Sequence, residues 1–349
     1  MKRISDVVTV NNLLDCYYDI KKNTRNRDKL VKYDMFISSN IINIYNKLIN
    51  GKYKHGIYNI FLIYEPKLRV IMSENINDKI VSHLICKYYL VDIIDKKLIN
   101  SNVATRKNMG SSYGIKLIKK YINSVKLKHN KFYILKIDIK KYFFNIDHDI
   151  LLNKLYGIVD KDIFYIIKNI IDSTNKDYVN DRISKLVEDN DYLYKYNKGL
   201  NIGSYISQIL ASFYLNDIDH FIKEKLGIKY YVRYVDDFVL IDYNYGNLLY
   251  CLEIIKKKLN ELGLSINNKT RVYDSKKGFC FLGYKFFLND SNKLVVKVKY
   301  KNKVRIRRKL KYFKKYDIDK YKVVVNNYKG YFVMCNRQKY RKHKFCPVY

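Results

Sequence analysis

Hydrophobic and polar residues follow two periods along this chain, one helical and one strand-like. Residues 1–50 carry apolar side chains at helical spacing and end on Gly51, which predicts an N-terminal helical extension. Runs rich in β-branched and aromatic residues predict strands at 57–64, 68–72 and 132–137. A helix with a broad apolar face is predicted to follow a turn at Gly203, where it would underlie a sheet.

The stretch YYVRYVDDFVLI, residues 230–241, predicts a β-hairpin. Two strand-like runs flank Asp236 and Asp237, which places both acids at the tip. Neighbouring carboxylates repel each other, so the pair is stable only if it is solvated or if a cation lies against it. This segment alone leaves both interpretations open.

Another acid, Asp138, stands at the end of the predicted strand 132–137. Three aromatic residues follow at 142–144, and a helix is predicted to begin near Asp147. Asp147 and Asp149 are typical of a helix N-cap and first turn, and His148 between them is predicted to be a surface residue. Two-metal phosphoryl transfer requires carboxylates from different strands, so Asp138 and Asp236 are candidates to bridge two Mg²⁺ ions.

The chain carries a large positive charge. It has 68 Lys and Arg against 33 Asp and Glu, a formal net charge of +35 spread along 349 residues. This charge predicts a polyanionic partner, most often nucleic acid. An anionic membrane is the competing explanation, but the longest charge-free run, 199–216, contains polar side chains, and no signal peptide or lipidation motif is visible. A soluble, intracellular protein is expected.

The six cysteines are scattered without a CxxC pair, which predicts reduced thiols in a cytosolic protein. Cys335, His343 and Cys346 form a weak zinc candidate because a fourth ligand is missing.

Basic residues are concentrated in the segment 293–315. It holds twelve Lys or Arg and no acid, interleaved with apolar residues, which predicts a helical surface for a nucleic-acid backbone. The arginines of this segment are Arg305, Arg307 and Arg308.

Two smaller basic groups are candidates to bind phosphate. Arg106 and Lys107 precede a Gly-Ser-Ser turn and an amphipathic helix, whose free N-terminal amides suit a phosphate. Lys67 and Arg69 stand at the start of the strand 68–72, either as a solvated face or as a phosphate contact.

Seven segments occur here in the order found in bacterial reverse transcriptases, which the chain resembles over about residues 57–283. They are IYEPKLRVI, ATRKNMGSS, LKIDIKKYFFNIDH, GLNIGSYISQ, YVRYVDDFVLI, LGLSINNKT and FLGY. The resemblance implies RNA-directed DNA polymerase activity and an α+β fold shaped as a right hand. The implied subdomains are fingers at 51–130 and 151–198, a palm with an antiparallel sheet at 131–150 and 199–285, and a short helical thumb at 286–349.

The resemblance also implies the roles of the acids. Asp138 and Asp236 would hold two Mg²⁺ ions, with Mn²⁺ as a substitute, Asp237 would be the third acid, and the backbone of Ile139 another ligand. Lys269 corresponds to a lysine that protonates the leaving pyrophosphate, although an exposed turn lysine is the competing interpretation.

A nucleotide site is implied as well. Lys67 and Arg69 would hold the incoming triphosphate, and Phe143 would crowd the sugar 2′ position and reject ribonucleotides. The remaining residues of this site would be Ile202, Gly203 and Gln208.

The implied nucleic-acid contacts lie in three segments. FLGY would be the primer grip, and the basic segment after it would bind the template and primer. The residues are Arg106, Lys107, Phe281, Leu282, Gly283, Tyr284, Arg305, Arg307 and Arg308.

One departure from most reverse transcriptases bears on fidelity. Ile202 replaces the usual Gln before Gly203, and Ser207-Gln208 replaces Ser-Pro. This pattern is similar to the reverse transcriptases of diversity-generating retroelements, which copy a template RNA with errors at adenines. Ile202 has no side-chain hydrogen bond to offer, so one check on the nascent pair would be missing. Ser204, however, stands where that family often has Asn.

The leading role is therefore error-prone copying of an RNA into cDNA in such an element. The alternatives are an anti-phage defence reverse transcriptase and an RNA-binding, maturase-like protein with a vestigial polymerase site. The expected partners are template RNA, a DNA or RNA primer, dNTPs and a small basic accessory protein, without a membrane. We expect a cytoplasmic protein, encoded by a bacterium or a phage.

Overall fold

The structure is a computed structural model that describes residues 2–24, 27–65 and 67–335. The chain forms two compact units. Unit 1 comprises Met1–Asn100, Ile139–His220 and Lys257–Ser265, and unit 2 comprises Ser101–Asp138, Phe221–Lys256 and Ile266–Tyr349. The boundaries expected for fingers, palm and thumb stay a prediction.

The helices, in chain order, are α1 (Ile4–Val7), α2 (Val10–Asn23), α3 (Arg27–Asp34), α4 (Ile37–Ile49), α5 (Ile76–Ile85), α6 (Val91–Asp95), α7 (Ser111–Lys128), α8 (Tyr142–Asn145), α9 (His148–Leu155), α10 (Lys161–Asp172), α11 (Asp177–Ser184), α12 (Tyr205–Tyr214), α13 (Asn216–His220), α14 (Tyr245–Glu261), α15 (Tyr300–Tyr316) and α16 (Ile318–Val333). The strands are β1 (Asn59–Ile63), β2 (Arg69–Ser73), β3 (Tyr133–Asp138), β4 (Tyr230–Tyr234), β5 (Asp237–Asp242), β6 (Arg271–Asp274), β7 (Phe279–Phe281), β8 (Tyr284–Leu288) and β9 (Leu294–Val298).

Unit 1 consists mainly of helices and one hairpin. β1 and β2 pair antiparallel, with Ile63 opposite Arg69. Apolar residues at helical spacing in α4 become its buried face, and side-chain caps start several helices. Asn75, for example, accepts a hydrogen bond from the Asp78 backbone at the start of α5.

Unit 2 contains two antiparallel sheets. The larger has the strand order β4-β5-β3-β6, and the smaller has the order β7-β8-β9. α7 packs on β4 and β5 because its apolar residues recur three and four positions apart. The buried side chains of that helix face are Ile115, Ile118, Ile122 and Val125.

Most of the predicted elements are confirmed, and with them the α+β fold class. The N-terminal helices, the hairpin before α5, the strand that ends at Asp138 and the helix after Gly203 all form. Asp147 is the predicted N-cap: its carboxylate accepts from the Asp149 and Ile150 backbones. The five described cysteines are free thiols, as expected.

The prediction that His148 is a surface residue was wrong. Its side chain is fully buried, and Nε2 donates to the Gly199 carbonyl at 2.7 Å. Burial lowers the pKa of the imidazole. His148 belongs to the buried face of α9 together with Leu151, Leu152 and Leu155, at i, i+3, i+4 and i+7, so the helical period contained the signal.

The prediction of a continuous basic helical surface over 293–315 was wrong in its first third. Residues Leu294–Val298 form strand β9, and α15 begins only at Tyr300. Within β9, Val296 is buried and Lys297 is exposed, which is the alternation that a strand edge of a small sheet requires. The many basic residues of this segment obscured the two-residue period of a strand.

Candidate active site

The acidic hairpin forms, but its turn differs from the prediction by one residue. β4 and β5 pair with Tyr234 opposite Asp237, and Val235 and Asp236 alone make the turn. Asp236 therefore stands at the tip, whereas Asp237 is the first residue of β5. The two acids occupy different backbone environments although they are adjacent in sequence.

The turn of this hairpin is strained. Val235 adopts φ 56°, a region that β-branched residues rarely occupy and that costs about 1–3 kcal/mol. Arg233, fully buried, donates through Nη1 to the Val235 carbonyl at 2.9 Å and so holds the turn in place. The Arg233 backbone also exchanges hydrogen bonds with Ser101 and Val103, which lie alongside β4.

Asp138 and Asp237 lie directly opposite each other. They are the terminal register pair of β3 and β5 in the antiparallel sheet. Directly opposed residues project from the same face, with Cβ atoms about 4.5–5.5 Å apart. The structure therefore places Asp138 opposite Asp237, with Asp236 one residue away in the turn, and the predicted pairing of Asp138 with Asp236 in a metal site stays a prediction.

Asp237 is the carboxylate with the most perturbed environment. Desolvation raises its pKa to about 7, against the opposing effect of Lys136 and with further contributions from Asp138 and Asp236. Lys136 Nζ lies 3.0 Å from Asp237 Oδ1, yet this buried oxygen has no hydrogen bond of good geometry. The contact is an ion pair, which offsets part of the cost of burying the Asp237 carboxylate.

Two residues of the segment SINNKT, 265–270, form hydrogen bonds with the Asp138 backbone. Thr270 Oγ1 accepts from the Asp138 backbone at 3.2 Å, and the Asn267 backbone donates to the Asp138 carbonyl at 2.6 Å. Lys269 lies between them in sequence and is exposed, and its backbone N–H donates to Asn267 Oδ1. Lys269 is thus an exposed turn residue between two residues that contact the Asp138 backbone.

Other predicted nucleotide contacts lie in unit 1. The Phe143 carbonyl accepts from the Leu200 backbone at 2.8 Å, and the Ile202 carbonyl accepts from Met72 at 3.0 Å. Backbone hydrogen bonds therefore join the segment 199–204 to Phe143 on one side and to Met72 of β2 on the other. Gly203 has φ 125°, a conformation that strongly favours glycine, and a Cβ there would lie in tight contact, 3.2 Å, with Ile71 Cγ2.

The remaining residues of that predicted site are exposed or half-exposed. Lys67 lies in the turn before β2, and Arg69 is the first residue of β2, with both side chains exposed. Gln208 is exposed on α12. The backbone of Ile139, predicted as a metal ligand, follows directly after Asp138, and its side chain is buried.

The FLGY segment is a tight hairpin turn attached to the last two helices of unit 2. Leu282 and Gly283 both have positive φ, 47° and 85°, as a two-residue turn between β7 and β8 requires. The Gly283 carbonyl accepts from the Lys299 backbone at 2.9 Å, and Tyr331 Oη lies 3.3 Å from it. Tyr284 Oη donates to the Tyr331 carbonyl at 2.6 Å. The predicted primer grip and the basic helices form one assembly.

The predicted nucleic-acid contacts differ in exposure. Lys107, Arg307 and Arg308 are exposed, whereas Arg106 and Arg305 are half-buried. Arg106 Nη1 donates to the Asn102 carbonyl at 3.3 Å, so part of its guanidinium shapes its own loop.

Within the described ranges, no three His, Cys, Asp or Glu side chains lie close enough to hold a metal ion unaided. Mg²⁺ takes few protein ligands and completes its shell with water and substrate phosphates, so acids of this kind suit it only together with substrate. In the zinc candidate, His343 and Cys346 lie outside the described residues, and Cys335 is buried.

Sequence reasoning missed Lys136 and Arg233. Lys136 stands two residues before Asp138 on the same face of β3, so the strand period could have found it. No sequence pattern indicates that Arg233, inside an apolar strand, would be buried against its own turn.

Carboxylates on neighbouring strands of an antiparallel sheet, in a strongly basic α+β chain, are features of enzymes that transfer phosphoryl groups on nucleic acid. The family described as reverse transcriptase (RNA-dependent DNA polymerase) matches residues 65–286. The chain belongs to this family.

Two proteins that this chain resembles share a low sequence identity with it. The COX1/OXI3 intron 1 protein of Saccharomyces cerevisiae is 25% identical over 186 residues, 52% of this chain and 20% of that protein. A solved structure of telomerase from Candida albicans, in complex with a TWJ fragment of telomeric RNA, aligns with a TM-score of 0.51 at 16% identity. That alignment covers 86% of this chain and 58% of the telomerase chain, and it indicates a shared fold. The chain thus spans a fifth of the yeast protein and little more than half of the telomerase.

None of the described helices combines the length and apolarity that crossing a bilayer needs.

Proposed function

We propose that this protein is an RNA-directed DNA polymerase. The observation that carries the proposal is the opposition of Asp138 and Asp237 across β3 and β5, with Asp236 at the adjoining turn, in a member of the reverse transcriptase family. Because the chain covers only part of its relatives, the activity rests on these residues and on the family together.

The acids would hold two Mg²⁺ ions, with Mn²⁺ as a substitute. Carboxylates at the ends of neighbouring strands are the hard oxygen donors that such ions prefer. When bound, the ions neutralise phosphate charge and favour the deprotonated primer 3′-hydroxyl. Asp138 and Asp236 would bind both ions, and Asp237, tied to Lys136, would fix the electrostatics beside them. Ile139 would add a backbone carbonyl.

The nucleotide would be held by residues of unit 1. Lys67 and Arg69 are exposed cations on a short hairpin, a form that suits a triphosphate. Phe143 would exclude a 2′-hydroxyl by its bulk, so dNTPs are the substrate. Lys269, exposed beside the Asp138 backbone, would donate a proton to the departing pyrophosphate.

Primer extension tests this function. The purified protein should extend a DNA primer on an RNA template with dNTPs and Mg²⁺, and should discriminate against NTPs. Phe143→Ala should lower that discrimination, while Phe144→Ala, an adjacent aromatic that packs on Tyr194, should leave it unchanged. Equal use of NTPs by the wild-type protein would contradict the assigned role of Phe143.

For the biological role, we propose error-prone copying of a template RNA in a diversity-generating retroelement, with a small basic accessory protein as partner. Ile202 before Gly203 and Gln208 after Ser207 support this role. Sequencing the flanking DNA tests it. Two near-identical repeats that differ at adenines are expected, and their absence would favour the anti-phage alternative.

A further inference from the structure

Glu74 is a buried carboxylate that lies outside the acid hairpin. It follows β2 and precedes α5, and its side chain is 2% exposed. Burial of a carboxylate is unfavourable unless hydrogen bonds compensate for the lost water. The contacts of Glu74 therefore indicate what this residue is for.

Two serine hydroxyls donate to the same oxygen of Glu74. Ser82 Oγ, from α5, lies 2.9 Å from Oε1, and Ser204 Oγ lies 2.7 Å from it. Both serines are buried. Ser204 occupies the N-cap of α12, yet its side chain makes no capping bond to that helix. An N-cap serine usually accepts from its own helix, so this hydroxyl is directed to Glu74 instead.

The bond to Ser204 continues a backbone attachment. Met72, two residues before Glu74, donates to the Ile202 carbonyl at 3.0 Å. Gly203 packs so closely on β2 that a Cβ would lie 3.2 Å from Ile71 Cγ2. The Ile202–Gly203 backbone is thus attached at both ends. Met72 of β2 binds the Ile202 carbonyl, and Glu74, the residue after β2, binds Ser204.

A buried cluster around His55 and Asp78 lies beside Glu74. His55 Nδ1 donates to the Gly56 carbonyl at 2.9 Å, and its buried Nε2 lies 3.8 Å from Glu74 Oε1. Asp78, 3.8 Å from the same ring, accepts from Tyr53 and from the Gly56 backbone, both at 2.9 Å. At 3.8 Å the imidazole is too far for a hydrogen bond, so the hydrogen bonds given above for the Glu74 carboxylate are those from Ser82 and Ser204.

We propose that Glu74 is a positioning residue for the incoming nucleotide. Through Ser204 it holds the Ile202–Gly203 backbone in the conformation that binds the dNTP. This inference rests on the proposed function, because it takes that backbone as part of the nucleotide site. It gives Glu74, the residue that follows β2, an indirect role in nucleotide affinity.

The two serines provide a matched test. Ser204→Ala and Ser82→Ala each remove one hydroxyl from the same carboxylate oxygen, but only Ser204 belongs to the 202–204 segment. Steady-state primer extension with the full chain should show KM for dNTP raised roughly tenfold by Ser204→Ala, with kcat little changed. Ser82→Ala should leave KM at the wild-type value. Equal effects of the two variants, or none from Ser204→Ala, would overturn the proposal.

Conservative replacement supplies a second comparison. Glu74→Gln keeps an oxygen acceptor for Ser204 and should retain a KM close to that of Ser82→Ala. Glu74→Leu removes the acceptor and should raise KM at least as far as Ser204→Ala. A Glu74→Gln enzyme as impaired as Glu74→Leu would show that the hydrogen bond to Ser204 is not what matters.

Amide hydrogen exchange distinguishes failure of this inference from failure of the proposed function. Ser204→Ala should speed exchange across residues 200–206 in the full chain, and Ser82→Ala should not, whether or not the protein polymerises DNA. Faster exchange without polymerase activity would remove the proposed function and the nucleotide role together. Unchanged exchange in an active Ser204→Ala enzyme would overturn the positioning role alone.

Discussion

Two contacts define the position of Asp237 in the structure. It begins strand β5, opposite Asp138, and it pairs with Lys136 at 3.0 Å. Even with that cation present, desolvation raises its pKa to about 7. An acid whose pKa is raised by folding is held more easily in its neutral form, so its ionisation destabilises the folded chain.

Asp237→Asn should therefore stabilise the metal-free protein at alkaline pH. The folded-state pKa of about 7 lies above the ordinary value of 3.8, so the folded state binds the extra proton between these values. The wild-type protein then loses stability relative to the variant as pH rises from about 4 to 7. We expect the Tm of the variant to exceed that of wild type by roughly 2–4 °C at pH 8 and to converge with it near pH 4. A variant with a lower Tm than wild type at pH 8 would contradict the predicted direction of this stability change.

Ile202 supports the fidelity hypothesis. Ile202→Gln restores a side chain that can hydrogen-bond, and should lower the error frequency opposite template adenine by roughly 2- to 10-fold. Ile202→Val keeps an aliphatic side chain and should leave the error spectrum unchanged. Sequencing of cDNA made on a defined RNA measures both. An unchanged spectrum with Gln would remove Ile202 from the explanation of fidelity.

At the level of elements, the sequence predicted strands and helices well where a single hydrophobic period, helical or strand-like, dominates a segment. Apolar spacing alone predicts strand β3, which ends at Asp138, helix α7, which ends at Lys128, and the acidic hairpin. The turn at Val235 could not be predicted, since β-branched residues disfavour positive φ and no sequence pattern indicates that the buried Arg233 donates to the Val235 carbonyl. The Glu74 to Ser204 bond joins residues 130 positions apart, beyond the reach of any local pattern.

The FLGY turn offers an element-scale prediction. Gly283→Ala places a Cβ where Tyr331 Oη would lie 2.0 Å away, at φ 85°, which costs about 1–2 kcal/mol before any clash. We expect a lower Tm and weaker binding of a primer–template duplex. Gly330→Ala, in open space on α16, is the control and should leave Tm unchanged or raise it slightly. Equal Tm values for the two variants would show that the turn is not packed on Tyr331.

Over the whole molecule, charge is the property that matters most for binding. A net charge of +35 implies a phosphate contribution that competes with salt. If six to ten phosphates are contacted, affinity for an RNA–DNA duplex should fall by about 10³–10⁵ between 50 and 200 mM salt. Affinity independent of salt would contradict nucleic-acid binding through this charge.

The location of those contacts is a separate prediction. Replacing the α15 arginines Arg305, Arg307 and Arg308 with Gln should reduce the slope of log affinity against log salt by about three. The same change of charge at Lys256, Lys257 and Lys258 on α14 is the control and should alter the slope less. A larger effect from the α14 lysines would assign nucleic-acid binding to another surface.

The central claim is that the acids of the β3–β5 pair and its turn catalyse DNA synthesis on RNA. Its most direct test is primer extension on RNA with dNTPs and Mg²⁺ by Asp236→Ala, compared with Asp290→Ala, which removes the same charge at an exposed turn. We predict loss of extension by at least about 10³-fold in the first variant, and wild-type rates in the second. Extension that survives Asp236→Ala would contradict the assignment of this hairpin as the polymerase site.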